Sequence, residues 1–261
     1  MKKYLVFLMA ALMLVALAVA GCGGSKEESK PAADTNKVLR VATEPTFAPF
    51  EFQEEGSDKL SGFDMDLIRA IGAKMGYKVE IANMGFDALI PALNTGNIDV
   101  AIAGMSITDE RKQAVGMSDP YYTSGLIVMV KKDNNDIKGI EDLKGKRIAA
   151  QIGTTGAAKA HSVEGAVVTE FNTNTESAME LTNGGVDAVI NDSPVIGYYL
   201  AQGGSEVAKT VGDVMEAEQY GIAVKKDNTK LLEEINKALA ELKQNGEYDK
   251  IYKTWFGEVK K

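Results

Sequence analysis

From Val38 onward the sequence alternates short β-rich runs with segments of helical periodicity, and this alternation constrains the fold more than any other feature. Val38–Thr43 reads as a strand, and the apolar residues of segment 62–74 recur at helical spacing until Gly76 ends the pattern. A second, similar set of segments begins near Lys146. Helices between successive strands are typical of parallel sheets covered by helices. The two sets therefore predict two α/β lobes.

The strand and helix segments follow one another in a regular order. The predicted strands are residues 38–43, 78–82, 98–103, 147–151, 167–171 and 186–190. The predicted helices are residues 62–74, 86–93, 155–161, 175–181, 193–201, 228–245 and 247–256. We expect the last two helices to pack on the first lobe. Two further apolar runs, residues 125–130 and 221–224, are interpreted as paired strands that cross between the lobes.

A short internal similarity supports two lobes built alike. The phrase Leu93-Asn-Thr-Gly-Asn-Ile-Asp-Val-Ala-Ile102 is echoed by Leu181-Thr-Asn-Gly-Gly-Val-Asp-Ala-Val-Ile190. Each phrase contains a helix end, a glycine turn, an aspartate and a buried strand. We therefore expect the same local structure at both places.

The first 22 residues combine a secretory signal with a lipidation site. Lys2 and Lys3 precede an apolar run, and Val19-Ala20-Gly21-Cys22 places small residues before the only cysteine of the chain. These are the parts of a signal peptide. The alternative, an uncleaved membrane anchor, needs about 20 apolar residues, and this run falls slightly short. The four residues resemble a bacterial lipobox, in which the cysteine is acylated and becomes the first residue of the mature protein.

The segment after Cys22 is composed of small and polar residues, with no large apolar side chain between residues 23 and 36. Such a stretch buries too little surface to offset its ordering entropy, so it is predicted to be a flexible tether. The N-terminal part is thus divided into a signal peptide, residues 1–21, and a lipidated cysteine with its tether, residues 22–37.

Charge and composition exclude several classes of function. The formal net charge of −8 becomes −10 once Lys2 and Lys3 leave with the signal peptide, which argues against binding to nucleic acid or directly to anionic lipid. His161 is the only histidine, and Cys22 the only cysteine. Zinc sites, Ser-His-Asp triads and Cys-His dyads therefore lack their parts. No metal and no cofactor is expected.

Polar residues follow a predicted strand of the first lobe. Gly104, Ser106 and Arg111 come after strand 98–103, with Thr108 as the expected N-cap of the next helix. Ligands of open α/β sheets bind beyond the carboxyl ends of the strands, and an arginine there offers a fork for a carboxylate. The alternative is a capped helix start with a solvated Arg111.

The matching place in the second lobe is Gln151-Ile-Gly-Thr-Thr-Gly156, where a strand end runs into a helix. Free backbone N–H groups at such a helix start form an anion site. The spacing is neither a dinucleotide fingerprint nor a Walker loop, and an ordinary glycine-containing turn is the alternative. One strand further on, Asp192 either caps the helix that begins at Ser193 or meets a ligand ammonium. An arginine fork facing this carboxylate would hold a zwitterion.

Together these residues resemble the solute-binding proteins of amino-acid ABC transporters, in particular the polar amino-acid group. The resemblance runs from Val38 to Gly257. It rests on the phrases Phe47-Ala-Pro-Phe-Glu-Phe52, Gly62-Phe-Asp-Met-Asp66, Ile90-Pro-Ala-Leu93, Ser106-Ile-Thr-Asp-Glu-Arg-Lys112, Ser118-Asp-Pro-Tyr-Tyr122, Gly153-Thr-Thr155 and Trp255-Phe-Gly257. Each phrase is weakly specific alone, and together they are highly specific.

The resemblance implies the type II fold of periplasmic binding proteins. In that α/β fold each of two lobes is a mostly parallel sheet flanked by helices, and two crossing strands form the hinge. It places residues 38–123 and 222–261 in lobe 1 and residues 124–221 in lobe 2.

The resemblance also implies the roles of the site residues. Arg111, Ser106 and the Thr155 backbone would grip the ligand α-carboxylate. Gly104 and Asp192 would hold its ammonium group. The aromatic walls of the site would be Phe47 and Phe86, whereas Phe50, Phe52 and Phe63 are assigned to the core.

The identity of the amino acid depends on Glu44, which follows the first strand where relatives place an acid against the ligand side chain. Glutamine-binding relatives share that pocket with a lysine, and the corresponding residue here is Gln151. An unpaired buried acid is costly unless a cation meets it, which favours arginine, lysine or a similar ligand. The phrases Met84-Gly-Phe-Asp87 and Glu218-Gln-Tyr-Gly221 instead resemble glutamine-binding relatives, so glutamine remains the alternative.

The resemblance implies a binding protein that closes on its ligand by hinge motion and delivers it to ABC permease subunits. We expect a monomer, exported and held by lipid at the outer face of the cytoplasmic membrane, on the periplasmic side if an outer membrane exists. The alternative from another class is a cyclohexadienyl-dehydratase-like enzyme. It would need a general acid in the cleft, and Glu44 is the obvious candidate.

Overall fold

The computed structural model describes residues 37–215 and 217–257. The predicted signal peptide, the lipidation of Cys22 and the tether up to residue 36 lie outside the described residues. Within the described ranges, no helix combines the length and the apolar character needed to cross a membrane.

The strands and helices occur in the order that the alternation predicts. The strands are β1 Val38–Thr43, β2 Thr46–Phe47, β3 Glu51–Gln53, β4 Leu60–Ser61, β5 Lys78–Asn83, β6 Val100–Ala101, β7 Val115–Met117, β8 Tyr122–Lys131, β9 Arg147–Gln151, β10 Val167–Phe171, β11 Ala188–Asp192, β12 Ala208–Val211, β13 Ala217–Tyr220 and β14 Ala223–Lys225. The α-helices are α1 Phe63–Met75, α2 Phe86–Thr95, α3 Asp109–Ala114, α4 Thr155–His161, α5 Asn174–Asn183, α6 Ser193–Ala201, α7 Thr229–Gln244 and α8 Glu247–Phe256. Short 3-10 helices cover Ile140–Leu143 and Gly204–Glu206.

Two mixed sheets give the molecule its two lobes. The first sheet has the order β5-β1-β6-β14-β7, and the second has the order β10-β9-β11-β8-β12. In each sheet the first three strands are parallel, and the remaining strands pair antiparallel. The sheets are therefore parallel only in part, because β8 in the second sheet and β14 in the first run antiparallel to their neighbours. A small antiparallel sheet, β2-β3-β4, stands beside them.

The first sheet has a hydrophobic core on each face, because successive side chains of a strand point to opposite sides. Leu39 and Val41 of β1 belong to one core and Ala42 to the other. The first core also contains the buried stripe of α1, the side chains Phe63, Leu67, Ile68 and Ile71. Helices α7 and α8 cover the same face, as predicted, because both contact α1.

The internal similarity corresponds to the same local structure in both lobes. Helices α2 and α5 end at Gly96 and Gly184, which adopt left-handed φ values of 76° and 82°. Asp99 then accepts hydrogen bonds from the backbone and guanidinium of Arg40, at 2.6–3.0 Å. Asp187 accepts the equivalent bonds from Arg147, at 2.6–3.2 Å. Each aspartate thus fixes the start of the first parallel strand of its lobe.

The predicted pairing of residues 125–130 with residues 221–224 is wrong. Strand β8 contains the first run, but residues 126–130 pair with β11 and β12. Strand β13 pairs with the beginning of β8, with Tyr220 opposite Tyr122 and Ala217 opposite Gly125. The second run lies largely in β14, whose neighbours β6 and β7 belong to the first sheet. The prediction failed because β13 is a mostly polar Ala-Glu-Gln-Tyr segment, whereas the apolar character of β14 reflects burial inside a sheet.

Strand β6 is shorter than the predicted segment 98–103. Its neighbouring residues still contact β1, because Asp99 N–H donates to Arg40 O at 2.8 Å and Ile102 N–H donates to Ala42 O at 3.2 Å. The chain then turns at Gly104, where φ is +53°. This turn brings the following polar residues to the carboxyl end of the sheet.

Candidate functional site

A cavity of about 300 Å³ lies where the carboxyl ends of strands from the two sheets meet. It contains all the residues that the sequence singled out for a ligand: Glu44, Phe47, Phe86, Gly104, Ser106, Arg111, Gln151, Thr155 and Asp192. Three further residues, Glu51, Ala103 and Thr154, complete the lining. The structure thus brings the predicted site residues together from both lobes.

A larger groove of about 810 Å³ runs along α5 and α6. Its lining is apolar or neutral, with Met179 and Tyr199 among its larger side chains. The smaller cavity is the better candidate for a polar ligand, because charged side chains of both signs line it.

Glu44 forms an acidic wall of the cavity. Its side chain is buried, and its carboxylate accepts hydrogen bonds from the Thr46 hydroxyl at 2.7 and 2.9 Å and from Gln151 Nε2 at 2.9 Å. Burial raises the pKa of the Glu44 carboxyl, and the bonds from Thr46 and Gln151 counteract that rise. Both hydrogen-bond donors are neutral, so they stabilise the carboxylate but do not neutralise its charge.

The orientation of the Gln151 amide is fixed by its other contacts. Its Nε2 also donates to Asn172 O at 2.9 Å, and its Oε1 accepts a bond of 2.6 Å from Asn174 Nδ2. These contacts turn the N–H groups of the amide toward Glu44. Gln151 therefore acts as a donor to the acidic wall.

Arg111 provides the positive charge of the cavity. Thr108 caps α3, as predicted, by accepting the Arg111 N–H at 3.1 Å. The guanidinium then reaches back to Ser106 O at 2.8 Å and across to Gly153 O at 2.9 Å, and it lies 5.2 Å from the centre of the Phe86 ring. Burial lowers the pKa of Arg111. Because a guanidinium has five N–H donors, it retains donors for a carboxylate.

Asp192 does not serve as a helix cap. It stands at the N-cap position of α6, but its side chain makes no capping hydrogen bond. Instead its Oδ1 accepts bonds from the Ser124 hydroxyl at 2.8 Å and the Tyr220 hydroxyl at 2.5 Å. Burial raises the pKa of Asp192 to about 6, even though both hydroxyls and Arg111 counteract the rise. The carboxylate is thus held in the cavity wall.

The ring of Phe47 packs against the turn at Gly104. A Cβ atom added to Gly104 would lie 2.4 Å from Phe47 Cε1, and the left-handed φ of this residue also favours glycine. Phe50 and Phe63 are fully buried, as predicted, whereas Phe52 is only partly buried against Trp255. Phe47 and Phe86 are mostly buried and line the cavity as well.

Glu218 was not predicted as a site residue, although it contacts two predicted site residues. Its Oε2 accepts hydrogen bonds from Ser106 Oγ at 2.5 Å and Thr155 Oγ1 at 2.8 Å. It lies on β13, the crossing strand whose polar sequence concealed it. If residues 217–220 are assigned as the crossing strand, Glu218 and Tyr220, the partner of Asp192, become candidates for the site.

Glu51 is the other cavity residue whose position was not predicted from the sequence. It lies between two phenylalanines, where an acidic side chain on a short strand is expected to face solvent. The structure buries it completely in the cavity wall. Within residues 37–215 and 217–257, the acidic side chains do not form a cluster that could hold a metal ion.

The family model described as bacterial extracellular solute-binding proteins, family 3, matches residues 39–258. A probable histidine-binding protein from Neisseria gonorrhoeae is 37% identical, with 99% of this chain and 97% of that protein covered. The arginine-binding extracellular protein ArtP of Bacillus subtilis (strain 168) is 35% identical, with 98% of each covered.

Solved structures agree with these relatives. An ancestral arginine-binding protein bound to arginine is 50% identical and superposes with a TM-score of 0.82, covering 85% of this chain and 100% of that one. An ancestral arginine-binding protein bound to glutamine is also 50% identical, with a TM-score of 0.80 and coverage of 86% and 100%. All of these relatives are described as binding proteins.

Proposed function

The chain belongs to the bacterial extracellular solute-binding proteins of family 3, and from this membership we propose that it captures a basic L-amino acid, of the arginine or lysine type, for an ABC importer. The ligand would bind in the cavity between the two sheets. A relative named for histidine and others named for arginine support a basic ligand.

The observation that carries the choice of a basic side chain is the environment of Glu44. Its buried carboxylate is bonded to a hydroxyl and an amide, both neutral. A buried charge is costly unless an opposite charge meets it. A guanidinium or ammonium on the ligand side chain would supply that charge.

The other charged groups of the cavity fit the two ends of the amino-acid backbone. Arg111, Ser106 and the N-terminus of α4 at Thr155 would bind the α-carboxylate, since they provide a guanidinium, a hydroxyl and free N–H groups. Asp192 and the Gly104 backbone would bind the α-ammonium. Phe47 and Phe86 would flank the aliphatic part of the side chain.

Binding by hinge closure is supported by hydrogen bonds that connect the two sheets around the cavity. Arg111 on α3 bonds to Gly153 after β9, and Gln151 at the end of β9 bonds to Glu44 after β1. A ligand held from both sides would favour the closed state. We propose that the lobes comprise residues 38–123 with 222–261 and residues 124–221, joined by the crossing strands β8 and β13.

A screen of the twenty amino acids with ornithine and citrulline tests the proposal by thermal shift. A ligand stabilises the folded protein by RT ln(1 + [L]/Kd), so a specific ligand separates from the rest. We expect arginine or lysine to give the largest shift and citrulline, a neutral analogue of arginine, to give a small one. A shift with glutamine alone would favour the glutamine alternative, and a uniform absence of shifts would contradict amino-acid binding.

We further propose that no bond is broken after binding. A dehydratase acting on a cyclic carboxylic acid would need a proton donor, and Glu44 instead accepts its hydrogen bonds from Thr46 and Gln151. Asp192 and Arg111 are suited to a whole amino acid. Incubation of the protein with cyclic carboxylic acids and with its amino-acid ligand, followed by mass spectrometry, should detect no product; product formation would support the enzyme alternative.

The location that we propose follows from Cys22 and the residues around it. Acylation of Cys22 would hold the binding domain at the outer face of the membrane, within reach of the ABC permease. Mass spectrometry of the mature protein should find a lipidated N-terminal cysteine. A mature protein whose N-terminal residue is another one, or whose N-terminal cysteine carries no lipid, would contradict the proposal.

A further inference from the structure

Glu51 and Asp64 are two fully buried carboxyl groups whose ionisation is coupled, and they lie at and behind the cavity wall. Both side chains have a relative exposure of 0%, and Glu51 lines the cavity directly. Asp64 Oδ2 accepts hydrogen bonds from Gly104 N–H at 2.9 Å and from the Tyr121 hydroxyl at 2.6 Å. Among the described residues, no hydrogen-bond partner is found for Asp64 Oδ1 or for either carboxyl oxygen of Glu51.

A shared proton explains this arrangement. Two ionised carboxylates cannot face each other in a buried site without a cation, because each lacks solvation and repels the other. A protonated carboxyl is a donor, so one proton on Glu51 would bond the two groups and satisfy Asp64 Oδ1. The remaining neighbours strengthen this conclusion, since Glu44 and Asp192 add negative charge and Tyr121 and Tyr220 are neutral.

The hydrogen bonds of the two groups identify the proton carrier, because Asp64 accepts two bonds that stabilise a charge and Glu51 accepts none from the described residues. Burial raises the pKa of Glu51 well above its usual range, and the neighbouring Asp64 raises it further. Burial also raises the pKa of Asp64, to about 6, but the bonds from Tyr121, Gly104 and Glu51 limit that rise. At neutral pH the proton therefore resides on Glu51 and the charge on Asp64.

We propose that Glu51 is a neutral carboxylic acid that donates to Asp64, and that the pair holds the peptide between Ala103 and Gly104 in place, and with it the Gly104 carbonyl group that would face the ligand ammonium. Because a peptide group is planar, anchoring the Gly104 N–H to Asp64 fixes the orientation of the whole group. Both of its residues line the cavity. Glu51 is thus a positioning residue. Its effect on ligand binding rests on the proposed function, whereas its protonation does not.

Infrared spectroscopy tests the proton without any ligand. At mildly alkaline pH the wild-type protein should show the C=O stretching band of a protonated carboxylic acid, and this band should shift in protein labelled with ¹³C at glutamate carboxyls. The band should disappear in Glu51→Gln and remain in Glu55→Gln, which changes an exposed residue. If the wild type lacks the band, or if Glu51→Gln retains it, the proposal is wrong.

Calorimetric titration with arginine tests the positioning role. Glu51→Gln should bind within about threefold of the wild type, because its amide is also a neutral donor to Asp64. Glu51→Ala should bind about tenfold more weakly or worse, because it leaves a buried acceptor unpaired. The positioning role would be overturned if both variants bound arginine equally weakly, or if both bound it as tightly as the wild type. If the wild type binds no amino acid, the proposed function fails, whereas the infrared result still decides whether the proton is present.

Discussion

Gln151 Nε2 donates a hydrogen bond of 2.9 Å to Glu44 Oε2, which connects the end of β9 in the second sheet to the residue after β1 in the first. The amide cannot reverse its orientation without losing its bonds to Asn172 and Asn174. This contact therefore brings a neutral donor, and not a cation, to the acidic wall. The negative charge of an ionised Glu44 would therefore be free to pair with a cationic group of the ligand.

Replacing Glu44 with glutamine should weaken arginine binding at least tenfold. Removing one partner of a buried charged pair costs about 2–5 kcal/mol, and the ligand guanidinium would lose its partner. Isothermal titration calorimetry of wild type and Glu44→Gln measures the effect. Citrulline serves as the neutral control, and its affinity should change much less. Little change in arginine affinity would contradict the assignment of Glu44 to the side chain of the ligand.

Replacing Gln151 with lysine should shift the preference from arginine toward glutamine. The ammonium of the new residue would neutralise Glu44, so a cationic ligand would be repelled and a neutral amide could replace it. The ratio of the two dissociation constants should change at least tenfold, because like charges placed together cost several kcal/mol. Gln151→Met, which removes the amide without adding charge, is the control. An unchanged ratio in the lysine variant would show that Gln151 does not influence ligand choice.

Arginine affinity should decrease as the pH falls below about 6, where Asp192 takes up a proton in the ligand-free protein. The ligand ammonium requires the ionised form, so binding at lower pH must release that proton, and affinity falls by up to about tenfold per pH unit. Above this pH the carboxylate is already ionised, and the affinity should be constant. Calorimetry in buffers of different ionisation enthalpy measures the released protons.

Glu44 and Asp64 also have raised pKa values, so the contribution of Asp192 must be separated from theirs. The Glu44→Gln variant eliminates the titration of Glu44 at the ligand side chain. The pH dependence that remains in this variant should still begin near 6, where both Asp192 and Asp64 titrate, and the part that an Asp192→Asn variant loses belongs to Asp192. A flat profile in both proteins would argue against contact between Asp192 and the ligand ammonium.

Removing the charge of Glu218 should strengthen ligand binding about threefold or more, since like charges brought together are costly. Ser106 and Thr155 each have one hydroxyl proton, and both hydroxyls donate to Glu218. The ligand carboxylate would bind close to this charge and compete for the same protons. Glu218→Gln can be compared with Glu233→Gln, a change at an exposed position on α7. Weaker binding by Glu218→Gln would instead indicate that Glu218 supports the closed state.

Much of the fold was predictable because the signals are local. The boundaries of β1, β9, β10, α4, α6 and α8 match the predicted segments, since strand alternation, helical spacing and terminal glycines act within a few residues. The crossing strand β13 was not predictable from these patterns. It lies between the lobes, and its polar sequence lacks the apolar alternation by which the other strands were predicted. The pairing of strands distant in sequence depends on the whole topology.

The candidate site likewise contains residues that local patterns predict and residues that only the whole topology brings into place. Arg111 follows β6 and Asp192 is the last residue of β11, so their arrival at one edge of the sheets follows from the α/β pattern and from the resemblance. The partners of these residues were not predictable, because Tyr220 and Glu218 come from the crossing strand. Glu51 was concealed for another reason, since a short strand between phenylalanines gives no indication that its acid is fully buried.

Replacing Gly104 with alanine should impair both stability and binding. A left-handed φ of +53° costs a residue with a side chain about 1–2 kcal/mol, and the new Cβ would lie 2.4 Å from Phe47, so the ring must leave its position in the cavity wall. Gly56→Ala is a matched control, because Gly56 also has a positive φ, +73°, and no atom within 4 Å of the added Cβ. Thermal unfolding should show a loss in both variants, whereas calorimetry should show weaker arginine binding only in Gly104→Ala, by about tenfold for each 1.4 kcal/mol lost. If both variants bind arginine as the wild type does, the Phe47 ring does not contribute to the ligand site.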